Sequence, residues 1–246
     1  MQLYYKDEYI RLFQGDCLEV MDKLIEKGIK FDAVITDPPY GTTACKWDAI
    51  IPFNEMWERL NKLITNNGAI ILNASQPFTS ALIMSNPKMF KYCWVWNKKK
   101  GGSPLLSKIQ PIRVTEDIVI FGKNKITYNP IMIPRDKPKS RGKNTGKISE
   151  TTNNAFIEDK IYTEYYPKNI LEISNANQRD KFHPTQKPVD LLEYLINTYT
   201  NENELILDFT CGSGTTLLAS RNLKRKCIGI ELEEKYCEIA KNRLIA

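Results

Sequence analysis

Histidine is almost missing from this chain of 246 residues; it occurs once, at His183. A lone imidazole excludes a histidine-built metal cluster. Six cysteines are present (Cys17, Cys45, Cys93, Cys211, Cys227 and Cys237) with no Cys-x-x-Cys pair. That spacing points to no metal site and no disulfide framework. Reduced, mostly buried thiols of a cytoplasmic protein are the simplest reading. No apolar run approaches the roughly 20 residues that span a bilayer. The start, Met1 to Lys6, lacks the apolar stretch of a signal peptide. No membrane partner is expected.

What is there suits one large α/β domain, or one domain carrying an insertion. Hydrophobic residues make up 42% of the chain, enough for a real core. The net charge is +6, from 35 Lys and Arg against 29 Asp and Glu, but it is unevenly spread. Residues 91–187 carry 19 basic and 9 acidic side chains. A concentrated basic segment on an otherwise near-neutral domain suggests a polyanion partner.

The chain is organised around Thr36-Asp37-Pro38-Pro39-Tyr40-Gly41. The apolar run Phe31 to Ile35 before it reads as a buried parallel strand. Two prolines then end the strand, since neither donates an N–H and each holds its predecessor extended. The result is a stiff loop at the C-terminal end of a strand, where open α/β sheets place ligands. An exocyclic amine on a nucleobase is a poor nucleophile, because its lone pair is delocalised into the ring. Two acceptors around its N–H bonds favour a more tetrahedral nitrogen. Asp37 and the Pro38 carbonyl fit as those acceptors, and Tyr40 fits as a surface for the base to stack on.

Around that loop the pattern alternates strand and helix. Tyr9 to Phe13 reads as a strand running into Gly15-Asp16, followed by a helix with Leu18, Met21, Leu24 and Ile25 on one face. Asp16 fits a helix N-cap. A second helix carries Phe53, Met56, Trp57, Leu60 and Ile64, and Asn66-Asn67-Gly68 is predicted to end it before a strand over 69–72. Tyr92 to Asn97 reads as a strand leading to Lys98-Lys99-Lys100-Gly101-Gly102, a basic loop able to track phosphates. Glu116 to Phe121 returns as a strand. Residues 123–182 lose periodicity, and Arg135, Lys137, Lys139, Arg141 and Lys143 set a basic group at every second place. Such a segment buries no core of its own.

The C-terminal part is the most ordered. His183-Pro184-Thr185-Gln186-Lys187-Pro188 precedes a helix with Val189, Leu192, Leu195, Ile196 and Tyr199 facing one way. His183 reads as a capping or packing residue, not a proton shuttle. Leu205 to Asp208 is a strand running into Phe209-Thr210-Cys211-Gly212-Ser213-Gly214-Thr215-Thr216 and a helix. A Gly-x-Gly turn there lets a ligand approach backbone at a helix N-terminus. The next strand, Cys227 to Ile230, ends at Glu231, an acid placed to bind ribose hydroxyls.

Taken together, these motifs resemble the amino-methyltransferases of DNA, in the order of their beta group, over residues 1–122 and 183–246. The resemblance implies a Rossmann-like, circularly permuted α/β methyltransferase fold. Its catalytic part is 1–122, its inserted target-recognition region 123–182 and its cofactor part 183–246. It implies S-adenosylmethionine as cofactor, with Asp16 on the adenine amine and with Asp37, Lys187, Asp208, Phe209, Cys211, Gly212, Gly214, Thr215, Thr216 and Glu231 around it. It makes Asp37, Pro38, Pro39 and Tyr40 the catalytic set. Double-stranded DNA is the implied partner, met by Lys98, Lys99, Lys100, Arg135, Lys137, Lys139, Arg141 and Lys143. The sequence departs from the family where Phe209 stands at a usual proline and Thr210 at a usual phenylalanine. No Pro-Cys dipeptide occurs, so transfer is expected by direct displacement onto a flipped base. Adenine N6 is the expected acceptor, with cytosine N4 and a non-catalytic DNA-binding relative as alternatives. A homodimer and a cognate restriction endonuclease are left open as partners.

Overall fold

The computed structural model describes residues 2–42, 48–101, 107–140, 161–175 and 186–245. Along the chain run β1 (Gln2–Lys6), β2 (Ile10–Gln14), α1 (Cys17–Glu26), β3 (Phe31–Thr36), α2 (Phe53–Leu63), β4 (Ile64–Ala74), α3 (Phe78–Ser85), β5 (Phe90–Asn97), β6 (Thr115–Phe121), β7 (Ile133–Ser140), β8 (Ile161–Tyr165), β9 (Ile170–Glu172), α4 (Val189–Tyr199), β10 (Leu205–Asp208), α5 (Thr215–Asn222), β11 (Lys226–Glu231) and α6 (Glu234–Ile245). They fall into two compact units, Met1–Asn129 with Asn169–Ala246, and Pro130–Lys168.

The larger unit is a sheet in the order β1-β2-β11-β10-β3-β4-β6-β5-β9. β2, β11, β10, β3 and β4 are mutually parallel, and β6 enters antiparallel. The C-terminal strands β10 and β11 therefore lie between β2 and β3, in the middle of the sheet. Strands buried on both faces are apolar over their buried middle, as β3 is over Ala33 to Ile35. Its Phe31 and Val34 join a core with α1, α2 and α3, while Ala33 and Ile35 join a core with α4, α5 and α6. Met56, Trp57, Leu60 and Leu63 line one face of α2, each contributing about 1.5–3 kcal/mol by its burial.

One local prediction changes. Asn66-Asn67-Gly68 does not end α2. The helix stops at Leu63, Ile64 is already extended, and β4 begins there. Pairing with β3 jumps from Phe31–Ile64 to Ala33–Ala69, so the Asn-Asn-Gly group forms a bulge inside the strand. β1 carries no clear alternation. It exists because it pairs antiparallel with β2 and sets the Tyr4 hydroxyl 2.7 Å from Glu238 of α6.

The smaller unit holds the antiparallel pair β7–β8. It is narrower than the expected 123–182 region. Asn129 donates its N–H to the Thr198 carbonyl, and Leu171 of β9 is buried beside β5. These contacts draw both flanks into the larger unit. Among the described residues no helix is long and apolar enough to cross a membrane.

Candidate active site

A cavity of about 590 Å³ opens at the C-terminal ends of β2, β11, β10 and β3, within the larger unit. This volume is typical of small-molecule sites. Asp37, Pro38, Pro39 and Tyr40 line one side, and Asp16, Asp208 to Ser213, Thr215, Thr216 and Glu231 line the other.

The loop after β3 is held at both ends. At its base, Thr36 Oγ1 donates to Asp208 Oδ1 at 2.7 Å and lies 2.6 Å from Thr210 Oγ1. Thr210 Oγ1 in turn donates to the Asp37 carbonyl at 3.1 Å. At its far end the Asp48 carboxylate accepts the backbone N–H groups of Tyr40, Gly41 and Thr42 at 2.8, 3.0 and 2.9 Å. The Tyr40 ring stacks on Phe78 with centroids 5.1 Å apart, and its hydroxyl donates to Asp37 Oδ1 at 2.5 Å. Burial, then the Asp37 and Glu116 carboxylates, push the Tyr40 hydroxyl well above the usual tyrosine range, so it stays a donor.

The turn after β10 is shaped for a ligand. Gly212 has φ +51°, and no atom lies within 4 Å of where a Cβ would stand, so the turn leaves open space there. Gly214 has φ +76° and brings α5 against Ala240, 2.7 Å from the position of its missing Cβ. Glu231 accepts the Gly212 and Glu233 N–H groups at 2.9 Å each. Burial raises its carboxyl above the ordinary range, against those N–H groups. Burial also pushes Asp208 up to about 6, against bonds from Thr216, Thr36 and the Thr210 N–H. Asp16 caps α1, accepting from Leu18 N and Glu19 N, and its exposed carboxylate borders the cavity. Phe209 is buried in the core behind the turn. Burial raises the Cys211 thiol well above its usual range and the Cys17 thiol to about 12, leaving neither a nucleophile. Acids at strand ends around a glycine turn are acceptors of the kind that the hydroxyls and amine of a nucleoside need, and Gly212 leaves open space beside them.

Lys187 reaches the loop from across the site. Its Nζ donates to Asp37 Oδ2 at 2.6 Å, and Gln186 beside it accepts from Ser213 Oγ at 3.2 Å. Lys98 does not extend to solvent. Its ammonium pairs with Glu116 at 2.9 Å, and its side chain is 15% exposed. Lys99 lies 3.4 Å from Glu172, and Lys100 is exposed. Arg135 donates to the Glu164 carbonyl and lies over the Tyr165 ring, while Lys137 and Lys139 are exposed on β7. Arg141, Lys143 and His183 fall outside the described residues.

Three site residues escaped sequence reasoning. Asp48 accepts three successive backbone N–H groups, which leave no sequence signature. Asn73 follows the apolar run Ala69 to Leu72 of β4 and carries no pattern of its own. Glu116 does carry a signal, as a charge at the head of the buried run Ile118 to Phe121.

Residues 31–242 match a family model described as DNA methylase, of the N6/N4 methyltransferase kind. The chain is 25% identical over 260 residues to the Type II methyltransferase M1.MboII of Moraxella bovis, covering 93% of this chain and 94% of that protein. It is 28% identical to M.HpaI of Haemophilus parainfluenzae, over 95% of this chain and 74% of that one. Among solved structures, the M1.HpyAVI–SAM complex superposes with a TM-score of 0.67 at 25% identity, covering 96% of this chain and all of that one. The cytosine-N4-specific PvuII DNA methyltransferase shares the fold with a TM-score of 0.70 at 18% identity, covering 100% of this chain and 89% of that one.

Proposed function

The chain belongs to the N6/N4 DNA methylase family, and from that premise we propose that it methylates the exocyclic N6 of adenine in double-stranded DNA. One observation carries the reading. The Asp37-Pro38-Pro39-Tyr40 loop and the Gly212 turn face one cavity and are tied through Thr36 and Thr210. An amine acceptor and a nucleoside site are thereby held in fixed relation.

The methyl donor is S-adenosylmethionine, which supplies an electrophilic methyl on a sulfonium. Glu231 accepts from its ribose hydroxyls and Asp16 from its adenine amine, while Gly212 leaves space for its approach. Tyr40, locked on Phe78, offers a face to the extrahelical base. Asp37 and the Pro38 carbonyl accept the two N–H bonds of the target amine and aim its lone pair at the methyl. The nitrogen would take the methyl as it leaves sulfur and would then release one proton, for which the Asp37 carboxylate is the acceptor in reach. Orientation supplies much of the acceleration, and no covalent intermediate is needed with both cavity thiols held neutral. The beta-group permutation accounts for a chain order in which the catalytic loop precedes the cofactor turn. Exposed Lys100, Lys137 and Lys139 supply phosphate contacts. Kinship with Type II methyltransferases fits restriction-modification, with a cognate endonuclease as partner.

The test is to methylate DNA with labelled cofactor, digest it to nucleosides and separate them. Label in N6-methyl-2′-deoxyadenosine is the expected result. Label in N4-methyl-2′-deoxycytidine alone overturns the choice of base and leaves the fold and cofactor standing.

A further inference from the structure

Both oxygens of Asp37 are already engaged: Oδ1 takes the Tyr40 hydroxyl and Oδ2 takes the Lys187 ammonium. Each oxygen keeps a second lone-pair site, so an incoming N–H shares Asp37 with two donors and is bound more strongly if one of them moves away. Tyr40 is the poor candidate, because Phe78 holds its ring and Asp48 holds its backbone N–H. Lys187 has a flexible stem, yet its side chain is only 10% exposed, so its charge cannot be left unpaired.

A second acceptor stands ready. Glu116, at the head of β6, lines the same cavity. Its Oε1 is fixed by Lys98 at 2.9 Å, whereas its Oε2 is buried, makes no hydrogen bond and lies 3.4 Å from Lys187 Nζ. That distance is longer than the 2.7–2.9 Å of a formed charge-assisted bond. Glu116 Oε2 thus makes a loose ion pair with Lys187, longer than the 2.6 Å contact that Lys187 makes with Asp37.

We propose that Glu116 is a positioning residue that takes over the Lys187 ammonium from Asp37 when the target amine arrives. This rests on Asp37 being the amine's acceptor. Lys187 Nζ closes the gap onto Glu116 Oε2, and Asp37 Oδ2 is freed for the N–H of the base. No covalent bond changes and no proton moves. Two ammoniums and two carboxylates remain balanced before and after the shift. Burial disfavours the charged form of Lys187, but Asp37 and Glu116 outweigh it and hold the ammonium above the ordinary lysine range. Burial likewise works against the Glu116 carboxylate, and Lys187 and Lys98 keep it ionised.

Single-turnover methylation of DNA lacking amino-methylation, with labelled S-adenosylmethionine, tests this in Glu116→Gln, Lys187→Met and the double variant. Glu116→Gln should slow the methylation step ten-fold or more and leave the cofactor Kd within three-fold. The basic limb of its pH–rate profile should move to lower pH, since Lys187 has lost one of its two anions. In the Lys187→Met background, Glu116→Gln should cost less than two-fold, because Glu116 acts only through Lys187. A Glu116→Gln rate within two-fold of wild type, or an undiminished ten-fold loss in the Lys187→Met background, overturns the proposal. Should Glu116→Gln fold poorly, Glu116→Asp decides. Activity within three-fold of wild type sustains the proposal, and activity as low as that of Glu116→Gln sinks it. If Asp37→Ala keeps its rate, the reading of Asp37 fails; if it is inactive while Glu116→Gln is normal, this proposal alone fails.

Discussion

Asp37 and Asp208 lie at the ends of neighbouring strands and face opposite demands. Asp37 meets the substrate side, and its carboxylate already carries two donors. Replacing it with alanine should lower the methylation rate on the order of 10²-fold or more, as removal of a preorganised polar group beside a reacting atom does. Cofactor Kd should stay within a few-fold, as equilibrium dialysis can check. Asp208 is buried, and its carboxyl is pushed up from 3.8 to about 6. A raised carboxyl pKa means that the native state keeps a proton which the unfolded chain has already lost. Stability therefore falls as pH rises from about 4 to about 6 and is level above that. The rise corresponds to about 3 kcal/mol. Asp208→Asn should lack this dependence. Urea unfolding of both proteins at pH 4.5 and pH 7.5 should show the variant gaining relative to wild type at the higher pH, and equal differences at both would remove the assignment.

At the scale of the element, the loop after β3 is a carboxylate-bound turn, with Asp48 gathering three successive N–H groups. Hydrogen bonds to a charged acceptor are worth about 1.5–3 kcal/mol each. Asp48→Ala should therefore release the Tyr40 backbone, lower kcat and raise KM for DNA while cofactor affinity holds. Asp48→Asn, which keeps the oxygen that serves Tyr40 and Gly41, should fall between the two in steady-state kinetics. The turn after β10 makes the complementary case. Glu231→Ala loses a charged acceptor, and cofactor Kd should rise roughly 10- to 100-fold. Calorimetric titration giving an equal Kd would mean that the ribose is held elsewhere. The elements most readable in the sequence were those written in apolar runs and punctuation, such as β3 before its two prolines and β10 before its glycines. What stayed hidden was set by partners distant along the chain. Asn66-Asn67-Gly68 looks like a stop and is a bulge, because Phe31 pairs with Ile64 before the register jumps. Likewise Lys98, first in a lysine run, is claimed by Glu116, 18 residues away.

For the whole molecule, charge and chain order are the informative features. Lys137 and Lys139 are both exposed on β7. Neutralising both should weaken DNA binding and reduce the slope of log K against log salt by about 0.9 for each phosphate no longer neutralised. Binding isotherms from 50 to 200 mM salt measure it, and an unchanged slope would leave these lysines as ordinary solvated side chains. The order of the strands has a further consequence, which concerns how the molecule is made. Because β10 and β11 fill the gap between β2 and β3, the middle of the sheet is synthesised after all the other strands. Until then two inner strands stand with bare edges, open to mispairing and aggregation. The sheet cannot close on a partial chain, so a nascent or prematurely terminated product has neither a finished core nor the Gly212 turn. Methylation activity and the closing of the sheet are thereby acquired together, once β10 and β11 have been made.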